Sequence, residues 1–259
     1  MRLGNPALRR LTKQASNGEM NATGSCATYK GVYSKAALFA FLTIAAAVVT
    51  ELLMLWAIRN GYIAEAMVAV GIAFAVSFIP LIIIALVIAF VPSTVKVLGC
   101  VYALLQGALL GFTGCFVDMF YPGIAFAAFL GTVIVFLVSL FVNSVFKVRI
   151  SSKFARGLMI AFFSLVLVQL VMGILSLTGV FSYTAYLWIQ LAVSALCIIW
   201  ATLMLSWDLQ NIDFVVQSRA DKKYEWIVSF SLVTTLIYLY VEILELLLRL
   251  LMLFGRNSN

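Results

Sequence analysis

The chain has 259 residues, 64% of them hydrophobic and only 10% charged, against about 25% charged in an ordinary soluble domain. With a mean hydropathy of +1.13, that deficit places most of the chain in lipid and leaves no room for a second soluble domain. Histidine is absent, which excludes His-assisted nucleophiles, His-ligated metals and imidazole pH sensing.

Residues 1–34 are polar and basic, with Arg2, Arg9, Arg10, Lys13 and Lys30, and read as a cytoplasmic tail ahead of a seven-helix membrane domain over 35–259. The first apolar run, 36–58, is too long for a signal-peptide core of about 7–15 residues. It satisfies the requirement of about 20 apolar residues for a spanning helix. The second span is expected at 67–91, where Pro80 should kink it. The third, 97–118, carries Gly107 and Gly111, a spacing that favours close helix packing without naming the partner. Tyr121-Pro122-Gly123 marks a tight turn into the fourth span, 122–146. Spans at 155–178, 183–206 and 227–254 follow. The expected class is an all-α integral membrane protein with seven transmembrane helices. Cys26, Cys100, Cys115 and Cys197 form no CxxC and read as small apolar filler.

Alternating spans sort the cations. One side holds Arg2, Arg9, Arg10, Lys13, Lys30, Lys35, Lys96, Lys147, Arg149, Lys153, Arg156, Arg219, Lys222 and Lys223, and the other only Arg59 and Arg256. By the positive-inside rule the N-terminus is cytoplasmic and the C-terminus outside. The net charge of +7 is then an orientation code helped by anionic lipid, with no need of nucleic acid.

Acids within apolar helices are costly and point to function. Glu19 and Glu65 fall in tail or loop and Asp118 ends a helix, so these read as solvated charges. On the last span, Ser231, Thr235, Tyr238, Glu242, Glu245 and Arg249 recur at steps of three or four, which places them on one helix face. Glu245 and Arg249 have the spacing and order of an ion pair. Glu242 and Glu245, three residues apart, raise each other's proton affinity in a low dielectric and would titrate as a coupled unit. The stripe is either a hydrogen-bonded strut or a proton- and ion-handling surface. Glu51 lies two-thirds along the first span, at a depth similar to that of Glu242, so the two carboxylates could meet if their helices pack together. The alternative is that Glu51 reaches the outer interface near Arg59. Asp208 and Asp213, in Trp207-Asp208-Leu209-Gln210-Asn211-Ile212-Asp213, follow the sixth span at the cytoplasmic mouth.

Several segments in order resemble the Bax inhibitor (transmembrane Bax inhibitor motif) family in its bacterial branch. They are Asn5-Pro6-Ala7-Leu8-Arg9-Arg10-Leu11, Val101-Tyr102-Ala103-Leu104-Leu105-Gln106-Gly107 with Gly111, and Tyr121-Pro122-Gly123-Ile124. Trp207-Asp208 through Ile212-Asp213, Lys223-Tyr224-Glu225-Trp226 and Leu239-Tyr240-Val241-Glu242-Ile243-Leu244 complete the set. The resemblance implies a last helix at the centre of the other six, a bacterial plasma-membrane location, and a pH-sensitive calcium leak. It also implies an acid–acid latch between the sixth and seventh helices. Asp208 matches its first member, and Glu242 is the candidate for the second, which makes both candidate calcium contacts. Depth offers a different partner. A helix starting at Trp226 places Glu242 about 24 Å along its axis, well past the mouth where Asp208 sits, so Thr234 or Thr235 would take the latch depth.

Two functional readings stand out. One is a passive, pH-gated cation leak with calcium as the expected ion, which takes oxygen ligands from Asp208, Asp213, Glu242, Glu245 and Glu51. Calcium is then cargo, and no cofactor is expected. The other is a non-conducting regulator whose basic face binds a membrane quality-control protease. A proton-coupled transporter ranks third, since no internal repeat is visible. Catalysis is not expected.

Overall fold

A computed structural model describes residues 26–146, 150–178 and 182–254. The segment Asn5–Leu11, the cations Arg2, Arg9, Arg10, Lys13, Lys147, Arg149 and Arg256, and Glu19 lie outside the described residues. The described residues form seven α-helices: α1 (Tyr29–Arg59), α2 (Ile63–Phe90), α3 (Val95–Phe120), α4 (Ile124–Phe146), α5 (Ser152–Thr178), α6 (Tyr183–Gln217) and α7 (Lys223–Phe254). A 3-10 turn, Pro92–Thr94, precedes α3.

Five helical stretches among the described residues are long and apolar enough to cross a membrane: Tyr29–Arg59, Pro92–Phe120, Ile124–Val145, Lys153–Ser176 and Tyr183–Gln217. Ile79–Phe90 is a shorter apolar helix. Bulky apolar side chains such as Phe41, Trp56, Phe90, Phe141, Phe163 and Ile199 are exposed along these helices. Apolar surface on that scale marks contact with lipid. In α7, by contrast, no residue between Tyr224 and Leu250 is exposed.

The chain divides into two compact units. Among the described residues, one comprises 123–211 and 234–254, and the other 26–122 with Ile212–Val233. In the latter, α1 packs on α3, and α3 on α2. Gly107 and Gly111 carry the first of these contacts. A Cβ at Gly107 would collide with the Thr43 carbonyl, and one at Gly111 with the Ala47 carbonyl. The GxxxG spacing thus finds its partner within the chain, and the two backbones touch. Phe39 and Tyr102 fill the rest of that interface, both edge-on to Phe230 at centroid distances of 5.8 and 5.2 Å.

Most of the helices outrun their expected spans, α1, α6 and α7 among them. Helix α1 starts at Tyr29 because Thr28 caps it, accepting the Gly31 N–H at 3.0 Å. Helix α7 starts at Lys223. Most consequentially, α6 continues to Gln217, so Asp208 and Asp213 sit on the helix and not in a loop following it. Leu205, Asp208, Ile212 and Val215 are buried at helical spacing, which extends the packed face past the apolar run. Helix α6 ends when Arg219 turns left-handed at φ 49°, with Ala220 N–H donating to Val215 and Arg219 N–H to Val216. This is a Schellman end with arginine where glycine is favoured. Arg219→Gly should therefore stabilise the protein by about 1 kcal/mol. A lower thermal midpoint for that variant would contradict the assignment.

Candidate functional site

The sequence-selected residues fall into separate groups. In the unit that holds Asp208, that carboxyl is 1% exposed, and its Oδ2 accepts from the Thr235 hydroxyl at 2.6 Å. Thr235 itself is buried. Neighbouring bonds tie the same end of the unit together. Asn143 Nδ2 donates to Ser206 Oγ at 3.2 Å, and Gln210 Oε1 accepts from Ile150 N–H at 2.8 Å. Of the two residues that helical rise offered, Thr234 and Thr235, it is Thr235 that bonds Asp208. Glu242 lies seven residues further on, about 10 Å along the axis.

Glu242 belongs to a second cluster. It is 5% exposed, and its Oε2 is buried without a hydrogen-bond partner among the described residues. Tyr238 and Cys197 are its side-chain neighbours. The Tyr238 ring packs edge-on against Trp200 at 5.4 Å and against Phe162 at 6.2 Å. The pair expected from spacing is present, Arg249 Nη2 on Glu245 Oε2. Arg249 Nη1 also donates to Ser194 Oγ, and at 3.1 Å to the Gln190 carbonyl. Arg249 thus has its own carboxylate, and Glu242 is left buried with no cation bonded to it.

The other candidates sit in the second unit. Asp213 is exposed and accepts from the Tyr29 hydroxyl at 3.0 Å. Glu51 is half-buried, near enough to Cys115 to act on it electrostatically, and Cys115 packs against Met54. Ser231 is half-buried on α7. Among the described residues no three His, Cys, Asp or Glu side chains converge where a metal ion could sit.

Sequence reading passed over Glu225, the most heavily bonded acid in the second unit. Its side chain is 0% exposed and pairs with Lys35. It accepts from Thr28 N–H at 2.8 Å, at the start of α1. Burial alone would push its carboxyl up. The bonds from Lys35 and Thr28, with the charges of Lys35 and Lys222, outweigh burial and hold it below the ordinary value. Ser229 adds a bond to the Val32 carbonyl at 2.7 Å, and Lys35 and Lys96 lie 5.3 and 6.0 Å from the centre of the Trp226 ring. The one available signal was an acid in the first turn of a helix, ahead of its apolar run.

A family model described as Bax inhibitor 1 like matches residues 5–252. No curated protein and no solved structure matches the chain.

Proposed function

Since the chain belongs to the Bax inhibitor 1 like family, we propose that it is a pH-sensitive cation leak of the bacterial plasma membrane, with calcium as the ion and carboxylate protonation as the gate. Seven spans with α7 at the centre, a cytoplasmic N-terminus and an outer C-terminus complete the reading. The unexposed run of α7 and the asymmetry of Lys and Arg support it. The single observation that carries it is Glu242, a buried carboxyl in an apolar helix with an oxygen left unpartnered. Membrane proteins place such groups where ions or protons pass. Gaining or losing a proton there changes the local bonding, and that biases the arrangement of the helix it sits on.

The test is calcium entry into proteoliposomes of the purified, folded protein between pH 6 and 8. A flux above that of empty liposomes is expected. For a single titrating group it should change by up to about tenfold per pH unit. No flux above the empty control would remove the leak and favour the second reading, a non-conducting regulator that binds a membrane protease. The bonding of Arg249 to Glu245, Ser194 and Gln190, as a strut between α6 and α7, is the observation on that side.

A further inference from the structure

We propose that the Thr235–Asp208 bond is a strap that fastens α6 to α7 in either protonation state of Asp208, and that proton sensing in this chain falls to Glu242. The second clause rests on the proton-gated reading above, whereas the first stands without it.

A threonine hydroxyl carries one rotatable donor and two acceptor lone pairs. Facing a carboxylate, it donates, as it does to Asp208 Oδ2 at 2.6 Å. Facing a carboxylic acid, the same oxygen can accept from the acid O–H. The bond is therefore remade by rotation of the hydroxyl, with no movement of either helix. Two carboxyls in the same place behave differently. They hold together while they share a proton and repel once both are ionised. A latch built from two acids opens as pH rises, whereas one built from an acid and a hydroxyl does not.

No other acid can supply that repulsion from this unit. Its only other acids are Glu242 and Glu245, and they lie about 10 and 15 Å along the helix from Thr235. On α7 in the other direction, Glu225 is ten residues away and paired with Lys35. On α6, Asp213 is exposed and bonded to Tyr29. Lys153 and Arg156, at the neighbouring end of α5, are exposed cations. Asn143, Ser206 and Gln210 do not titrate. Glu242, facing Tyr238, Cys197, Glu245 and Arg249, has the unfilled hydrogen-bond position that Asp208 Oδ2 lacks.

Two tryptophans report on the two acids. Trp207 is buried beside Asp208, and Trp200 packs on Tyr238, next to Glu242. The full chain is labelled with 5-fluorotryptophan, and the two fluorine resonances are assigned with Trp207→Phe and Trp200→Phe. Spectra are recorded from pH 5.5 to 8. The wild-type Trp207 resonance should move far less with pH than that of Thr235→Asp, and Thr235→Ser should behave as the wild type does. Thr235→Asp should make Trp207 titrate. A wild-type Trp207 resonance that moves with pH as far as that of Thr235→Asp overturns the strap. A Trp207 resonance in Thr235→Asp as flat as that of the wild type overturns it as well. The Trp200 resonance should titrate in the wild type and become flat in Glu242→Gln. A flat wild-type Trp200 overturns the assignment of sensing to Glu242. None of these spectra depends on ion flux, so an absent leak would sink the proposed function and leave the strap standing.

Discussion

Replacing Glu225 by alanine should destabilise the folded protein by about 3–5 kcal/mol, the usual cost of removing one partner from a buried ion pair. The magnitude follows from what the carboxylate holds. Its side chain is 0% exposed and that of Lys35 12%, so the ammonium left behind has little water to turn to. The Thr28 N–H also loses its acceptor. Glu225→Gln keeps the shape and an acceptor for Thr28 while leaving the Lys35 charge unpaired, so it should fall between the wild type and Glu225→Ala. Converting both Lys35 and Glu225 to methionine removes both charges and should recover most of the loss. Because the folded-state value of Glu225 lies below the ordinary carboxylate value of about 4.3, its contribution is fully present at neutral pH. That contribution is lost as pH falls below about 4.3 and through the folded value. Thermal unfolding in detergent at pH 7 and pH 4 measures both effects. A midpoint for Glu225→Ala at pH 7 within a degree of the wild type would contradict the bonding described here.

The second large effect concerns Gly107. A methyl group there meets the Thr43 carbonyl oxygen inside van der Waals contact, and Ala46 Cβ and the Thr43 carbonyl carbon at 2.9 Å. The obstacle is backbone, which cannot rotate aside. Gly107→Ala should therefore cost about 1–3 kcal/mol as overpacking. Gly107→Leu should cost more, by forcing α1 and α3 apart. Gly157 and Gly173 on α5 supply the control, because an added Cβ at either meets nothing within 4 Å. Alanine at those sites should be neutral, or stabilising by up to about 1 kcal/mol through helix propensity. Equal thermal midpoints for Gly107→Ala and Gly157→Ala would refute the close approach.

How much of this was legible in the sequence divides along physical lines. The helices over apolar runs were readable because the bilayer sets a length and an apolar composition. Their ends were not, because outside lipid that constraint lapses. The polar run from Trp207 to Asp213 looked like a loop, yet Ile212 and Val215 bury on the face that Leu205 begins, and the helix continues. The Glu245–Arg249 pair followed from spacing on one helix. Helical rise narrowed the partner of Asp208 to Thr234 or Thr235, and the bond falls on Thr235. Glu225 was missed for a different reason. Its partner Lys35 is 190 positions away, and periodicity within one helix says nothing of what another helix presents. The same limit hid the partner of the Gly107–Gly111 stripe.

The most direct test of a carboxylate gate is the pH profile of calcium entry through Glu242→Gln, reconstituted at the same density as the wild type. Glutamine keeps the size and hydrogen-bonding capacity of a protonated glutamate but cannot ionise. The expected result is a flux that no longer changes between pH 6 and 8 in a protein with wild-type thermal stability. A Glu242→Gln profile that rises and falls with pH as the wild type does would contradict the central claim.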